Sequence, residues 1–192
     1  MLRNFHLADL FTIANGFCGV AALFAAMRFL ATGDRPHLYW AALLVPVALV
    51  FDVLDGRIAR WRHVASPMGR ELDSLADVIS FGVAPAGIAY AAGLDRPADQ
   101  AILMYFVGCG VSRLARYNVT AADLSRDTGK VTYFEGTPIP TSVVPLGLLM
   151  LAFHYRILYP VHVLGLDLHL VSLLFLLSGS LMISKTLRIP KP

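Results

Sequence analysis

Asp52, Asp55, Asp73 and Asp77 stand in otherwise apolar sequence, in the run D-V-L-D-G-R-I-A-R, eight residues, then G-R-E-L-D-S-L-A-D. The first two are three residues apart and the last two are four apart, so each pair shares one face of a helix. Carboxylates are expensive inside a membrane and mark functional sites there. Like charges packed this closely repel, and a hard oxygen-seeking cation relieves the repulsion. Magnesium, or manganese in its place, suits carboxylate and water ligands and commonly bridges to substrate phosphates. Two such ions about 4 Å apart form a clamp suited to in-line displacement at phosphorus. Asp52, Asp55, Asp73 and Asp77 are therefore the candidate metal ligands.

The elements that must carry them follow from composition. Over 192 residues, 57% are hydrophobic and only 15% charged, with a mean hydropathy of +0.64, too apolar for an ordinary soluble domain. Crossing about 30 Å of hydrocarbon takes roughly 20 apolar residues. Six stretches qualify, near Asp9–Leu30, Leu38–Arg60, Pro67–Ala91, Ala98–Tyr117, Ile139–Tyr159 and Val161–Ser184. The expectation is an all-α integral membrane protein of six transmembrane helices forming a single domain over 1–192. The first stretch reads as a span rather than a signal peptide, since Arg3 is the one basic residue before it.

Basic residues mark cytoplasmic loops. Twelve of the sixteen Lys and Arg fall on one side of this topology: Arg3, Arg57, Arg60, Arg62, Arg70, Arg113, Arg116, Arg126, Lys130, Lys185, Arg188 and Lys191. Both termini and the aspartates are thereby expected to face the cytoplasm, in a multi-pass protein of the cell's inner (cytoplasmic) membrane. A net charge of +3 points to anionic lipid and phosphate as partners, not nucleic acid. Two cysteines, Cys18 and Cys109, lie in apolar spans and predict no structural disulfide. The histidines have no metal-ligand spacing.

The second and third spans form a hairpin. Ser66-Pro67 is a helix start, with serine as N-cap and proline at the first helical position. Counting outward from a turn at His63–Ser66 at about 1.5 Å per residue, Asp55 and Asp73 lie at similar depth, and Asp52 and Asp77 lie together one turn deeper. Gly56, Ala59 and Gly69 are small, which suits either close helix packing or approach of a bulky ligand. Arg60 can offer a planar guanidinium to phosphate oxygens. Thr12 and Asn15 share a face of the first span and can hydrogen-bond either a nucleotide or a neighbouring helix. Ser80 and Gly82 follow the aspartate face imperfectly, and Pro85 predicts a kink in the third span.

Asp52, Asp55, Gly56, Ala59, Arg60, Gly69, Asp73 and Asp77 match every fixed position of the pattern D-x2-D-G-x2-A-R-x8-G-x3-D-x3-D. The chain thus resembles the CDP-alcohol phosphatidyltransferase family. The resemblance implies six transmembrane helices, a homodimer, and a site open to cytoplasm and membrane in which an alcohol displaces CMP from a CDP-linked lipid. It implies that Asp52, Asp55 and Asp73 bind metal, and that Asp77 lies near the metals and deprotonates the acceptor. Gly56, Ala59, Arg60 and Gly69, with Thr12 and Asn15, would line the nucleotide and CDP-lipid site.

The signature does not name the alcohol. The flanking segments Thr12–Gly19, Asp73–Ala86, Arg113–Asn118 and Tyr133–Pro140 are similar to the branch of the family that joins CDP-diacylglycerol to L-serine. Serine brings a carboxylate, which a planar arginine matches. Arg113 and Arg116, with Lys130 in the following loop, are the candidate acceptor contacts, although basic residues also gather at cytoplasmic helix ends for topology alone. The alternatives are another acceptor, such as glycerol 3-phosphate or inositol phosphate, and a divalent-cation transporter. Transporters place ion sites near the midplane between inverted repeats; here the cluster lies near one turn and no repeat is visible.

Overall fold

The structure is a computed structural model, and it describes residues 7–61, 67–126, 133–163, 165–184, 186 and 188–190. It divides into two compact units, residues 1–91 and 92–192.

In the first unit, α1 (Leu7–Thr32) and α2 (Arg35–Trp61) form a helical hairpin. The tight turn between them is held by Thr32, whose hydroxyl donates to the Arg28 carbonyl at 2.9 Å and accepts from the Asp34 amide at 3.2 Å. A third rod follows: α3 (Pro67–Asp77), a π-helical stretch (Val78–Val83) and α4 (Ala84–Ala91). Pro67 opens α3 as expected; Ser66 and the predicted turn at 63–66 lie outside the described residues. The kink expected at Pro85 takes the form of the π stretch. Proline has no N–H and its ring crowds the carbonyl four residues back, and the chain adds a residue to the turn, with the Ala84 amide donating to the Ile79 carbonyl five residues earlier.

These three rods pack through small residues. Ala22 and Ala26 of α1, Ala41 and Ala48 of α2, and Ala76, Ala84 and Ala89 of the third rod are buried, with Phe81 and Ile88 filling the remainder. Without a hydrophobic driving force between helices in lipid, close backbone approach is what associates them. All three are long and apolar enough to cross a membrane, over Asp9–Thr32, Arg35–Ile58 and Met68–Ala91. Their outward residues, among them Phe17, Phe24, Leu43, Val50 and Leu75, are large, apolar and exposed, as a lipid-facing surface requires.

The second unit is built on α5 (Pro97–Arg126). Against it packs α7 (Ser172–Ile183), with Phe106 and Phe175 meeting edge to face at 5.3 Å between ring centroids. Between them in sequence come β1 (Tyr133–Glu135), a 3₁₀ turn (Ile139–Ser142), α6 (Val143–His154), and a hairpin of β2 (Pro160–Val163) and β3 (Leu166–His169). A terminal strand β4 (Arg188–Pro190) pairs antiparallel with β1. Gly136 has φ +75° and lies against the Met182 carbonyl, so a side chain there would both strain the backbone and collide. With the Thr137 amide donating to the Leu181 carbonyl at 3.2 Å, this fastens the segment before α6 onto the end of α7.

Two expected spans are corrected. The fifth, expected over Ile139–Tyr159, has its helix end at His154. The sixth, expected to be helical from Val161, instead opens with the β2–β3 hairpin, and helix begins only at Ser172. The run V-H-V-L-G-L-D-L-H alternates about Gly165, which has φ +82°, the pattern of a hairpin rather than a helix. Asp99 near the start of α5 anchors this hairpin. Its carboxylate, fully buried, accepts from the His169 amide at 2.9 Å and the His169 ring at 2.7 Å. Farther out, the exposed His162 ring donates to Asp167 at 2.9 Å and holds that carboxyl below its usual range. The fourth helix, by contrast, runs well past the expected Tyr117, to Arg126.

Candidate active site

Asp52 and Asp55 lie on α2 and Asp73 and Asp77 on α3, whose last residue is Asp77. Carboxylate oxygens of Asp52, Asp55 and Asp73 all lie within 4.8 Å of one another. Asp55 is buried and its two neighbours are half-buried. Two helices contribute two carboxylates each, because the three- and four-residue spacings turn both members of a pair to one face.

This donor set fits a hard divalent cation. Three carboxylates converge, and Asp73 Oδ1 is buried with no hydrogen-bond partner among the described residues, an arrangement whose desolvation is offset when the oxygen ligates a metal. Asp77 is also buried, 7% exposed.

The first helix supplies the polar partners. Thr12 donates from its hydroxyl to Asp55 Oδ2 at 2.8 Å, and Asn15 donates from its amide to Asp77 Oδ1 at 3.1 Å. Both thus bond to neighbouring helices, one of the two contacts open to them in the sequence. Asp9, one turn earlier, is buried at 8% exposure and adds its field to that of Asp52 at Asp55. Reading by sequence alone passed over Asp9, although Asp9, Thr12 and Asn15 recur every three residues and so line one face of α1.

The remaining candidates are placed as follows. Gly56, one residue after Asp55, faces open space, since a Cβ built there meets no atom within 4 Å. Gly69 is half-buried in the first turn of α3. Ala59 and Arg60 lie in the last turns of α2, and their side chains are outside the described set. In the second unit, Arg113 of α5 is buried at 9% exposure. Arg116, one turn on, donates to the Ile183 carbonyl at 3.4 Å, where a cation complements the end of α7. Lys130 lies outside the described residues.

Three carboxylates converging between apolar helices form an acidic cluster with the donor chemistry to hold a divalent cation. A model of the CDP-alcohol phosphatidyltransferase family matches residues 5–179, and the chain belongs to that family. It is 45% identical, over 203 aligned positions, to the CDP-diacylglycerol–serine O-phosphatidyltransferase of Saccharomyces cerevisiae, an alignment covering 100% of this chain and 73% of that one. The protein of the same name from Bacillus subtilis is 32% identical over 170 positions, 87% of each chain. That from Mycobacterium tuberculosis is 38% identical over 117 positions, which is 60% of this chain but 41% of the mycobacterial one.

Proposed function

We propose that this protein transfers a phosphatidyl group from CDP-diacylglycerol to the hydroxyl of L-serine, giving phosphatidylserine and CMP. The observation that carries the reading is the convergence of Asp52, Asp55 and Asp73, at signature spacing, within 4.8 Å on the α2–α3 hairpin. The choice of serine is supported by the similarity to the yeast and Bacillus serine transferases and by the matched segments flanking the signature.

Asp52, Asp55 and Asp73, with Asp77 at their edge, would hold Mg2+ or Mn2+, two ions per site. A cation bound there supplies positive charge that neutralises the pyrophosphate and the charge growing on departing CMP. Gly56, Ala59 and Gly69 leave room for the nucleotide to approach the helix backbones, and Arg60 meets its phosphate oxygens. Asp77 takes the proton of the serine hydroxyl. The serine oxygen then bonds to the lipid-side phosphorus, and the bond from that phosphorus to the bridging pyrophosphate oxygen breaks. Arg113, Arg116 and Lys130 bind the serine carboxylate. The whole of 1–192 works as one membrane domain, as a homodimer in the cytoplasmic membrane, with termini and site on the cytoplasmic face.

The test of this reading is CMP release from CDP-diacylglycerol by the purified chain in lipid micelles, offered serine, glycerol 3-phosphate or inositol phosphate in turn. Release with serine alone supports it. Release with a phosphorylated alcohol instead keeps the chemistry and overturns the acceptor.

A further inference from the structure

Asn15 is fully buried, yet its hydrogen bonding is unlike that of a packing residue. Its amide nitrogen donates to Asp77 Oδ1 at 3.1 Å, while its own Oδ1 is buried with no partner among the described residues. A buried acceptor left unmatched is costly, and a leucine of similar volume would pack a helix interface without that cost. The asparagine is therefore kept for the bond it makes. A second bond fixes the backbone behind it: the Ser80 hydroxyl donates to the Asn15 carbonyl at 2.8 Å. Ser80 lies in the π-helical stretch that directly follows Asp77, so this bond ties the turn bearing Asn15 to the turn after Asp77. Gly19 allows the approach. A Cβ there would come within 2.8 Å of the Ser80 Cα and 2.7 Å of its Oγ.

We infer that Asn15 is a positioning residue for Asp77, and that Asn15, Ser80 and Gly19 form a brace that aims the Asp77 carboxylate. Occupying Oδ1 fixes rotation of the carboxylate and leaves Oδ2 for the acceptor hydroxyl. An amide N–H donates but takes up no proton, so it holds the base without competing for its role. The inference rests on the reading of Asp77 as base. It goes further by giving α1 a part in the transfer step, separate from the bond Thr12 makes to Asp55.

The test compares Asn15→Leu, Ser80→Ala and their double variant with the unmodified full chain, in lipid micelles, by CMP release. The brace predicts that Asn15→Leu lowers kcat by about tenfold or more, the scale of a misplaced general base. Its KM for CDP-diacylglycerol and its Mn2+ activation midpoint should move by less than about threefold, because the three-carboxylate cluster is untouched. Ser80→Ala should lower kcat less, and the double variant should be no worse than Asn15→Leu alone, since Ser80 acts through Asn15. A kcat within about twofold of the unmodified chain for Asn15→Leu overturns the brace, as do losses shared equally by kcat, KM and metal activation. Additive losses in the double variant overturn the coupling of Ser80 to Asn15. Should Asn15→Leu fail to fold, Ser80→Ala decides alone: reduced kcat at constant KM supports the brace and unchanged kcat overturns it. Asp77→Asn is run alongside. Turnover retained in Asp77→Asn removes the base and the brace together, whereas an inactive Asp77→Asn with a fully active Asn15→Leu overturns the brace only.

Discussion

Asp55 and Asp77 lie on adjacent helices and carry the same functional group in different surroundings, and the proposed function gives them different work. Asp55 sits within the three-carboxylate cluster and accepts from Thr12, while Asp77 lies at its edge and accepts from Asn15. Asp77→Asn keeps size and hydrogen bonding but removes basicity, so CDP-lipid binding should survive while turnover falls by at least about a hundredfold. A binding assay beside CMP release checks this, and an Asp77→Asn enzyme that still turns over would exclude Asp77 as the base. Asp55→Asn should instead weaken metal activation and CDP-lipid binding together. A metal titration in which that variant matches the unmodified chain would contradict its place as a ligand. The aspartates were legible in the sequence because intramembrane charge is rare and helical spacing is arithmetic. Thr12 and Asn15 were legible only as an ambiguity, since the residues they bond, 43 and 62 positions away, are set by tertiary packing.

At the scale of elements, two contacts carry testable weight. The first is the approach of α1 to the π-helical stretch at Gly19. Gly19→Ala forces a methyl group against the Ser80 backbone, and overpacking of this kind costs about 1–3 kcal/mol. Thermal unfolding in detergent should show the loss, accompanied by reduced turnover; a Gly19→Ala protein as stable and active as its parent would mean the helices are not so close. The second is the Asp99–His169 pair that fastens the β2–β3 hairpin to α5. Leaving buried donors without their acceptor costs about 1–3 kcal/mol, so Asp99→Ala should lower the unfolding midpoint, and an unchanged midpoint would show that the hairpin is held by other means. The hairpin is also where sequence reading went astray. Composition counts Val, Leu and His alike in strand and helix, and only the alternation about Gly165 separated Pro160–His169 from the apolar run that follows. The extension of α5 to Arg126 was missed for the opposite reason: hydropathy ends a span where charge begins, while a helix continues into water as long as its backbone bonds do.

For the molecule as a whole, the surface of the first unit matches a lipid-exposed assembly, with alanine inside and phenylalanine, leucine and valine outside. The distribution of basic residues gives an expected sidedness. The turn after Thr32 should face away from the cytoplasm, and the connection following Trp61 should face into it. With Cys18 and Cys109 replaced by alanine, a cysteine at Asp34 should react with an impermeant maleimide applied outside sealed cells, and a cysteine at Arg62 should react only after the membrane is opened. The reverse labelling pattern would invert the topology and place the aspartates on the wrong side for cytoplasmic serine and CMP. The central claim concerns this same economy of substrates, and its most direct measurement is CMP release from CDP-diacylglycerol with and without serine, before and after chelation of divalent ions. The account predicts release that requires serine, stops on chelation, returns with Mg2+ or Mn2+, and is matched by an equal amount of phosphatidylserine. Serine-dependent release that persists under chelation, or release that ignores serine and follows another alcohol, would contradict it.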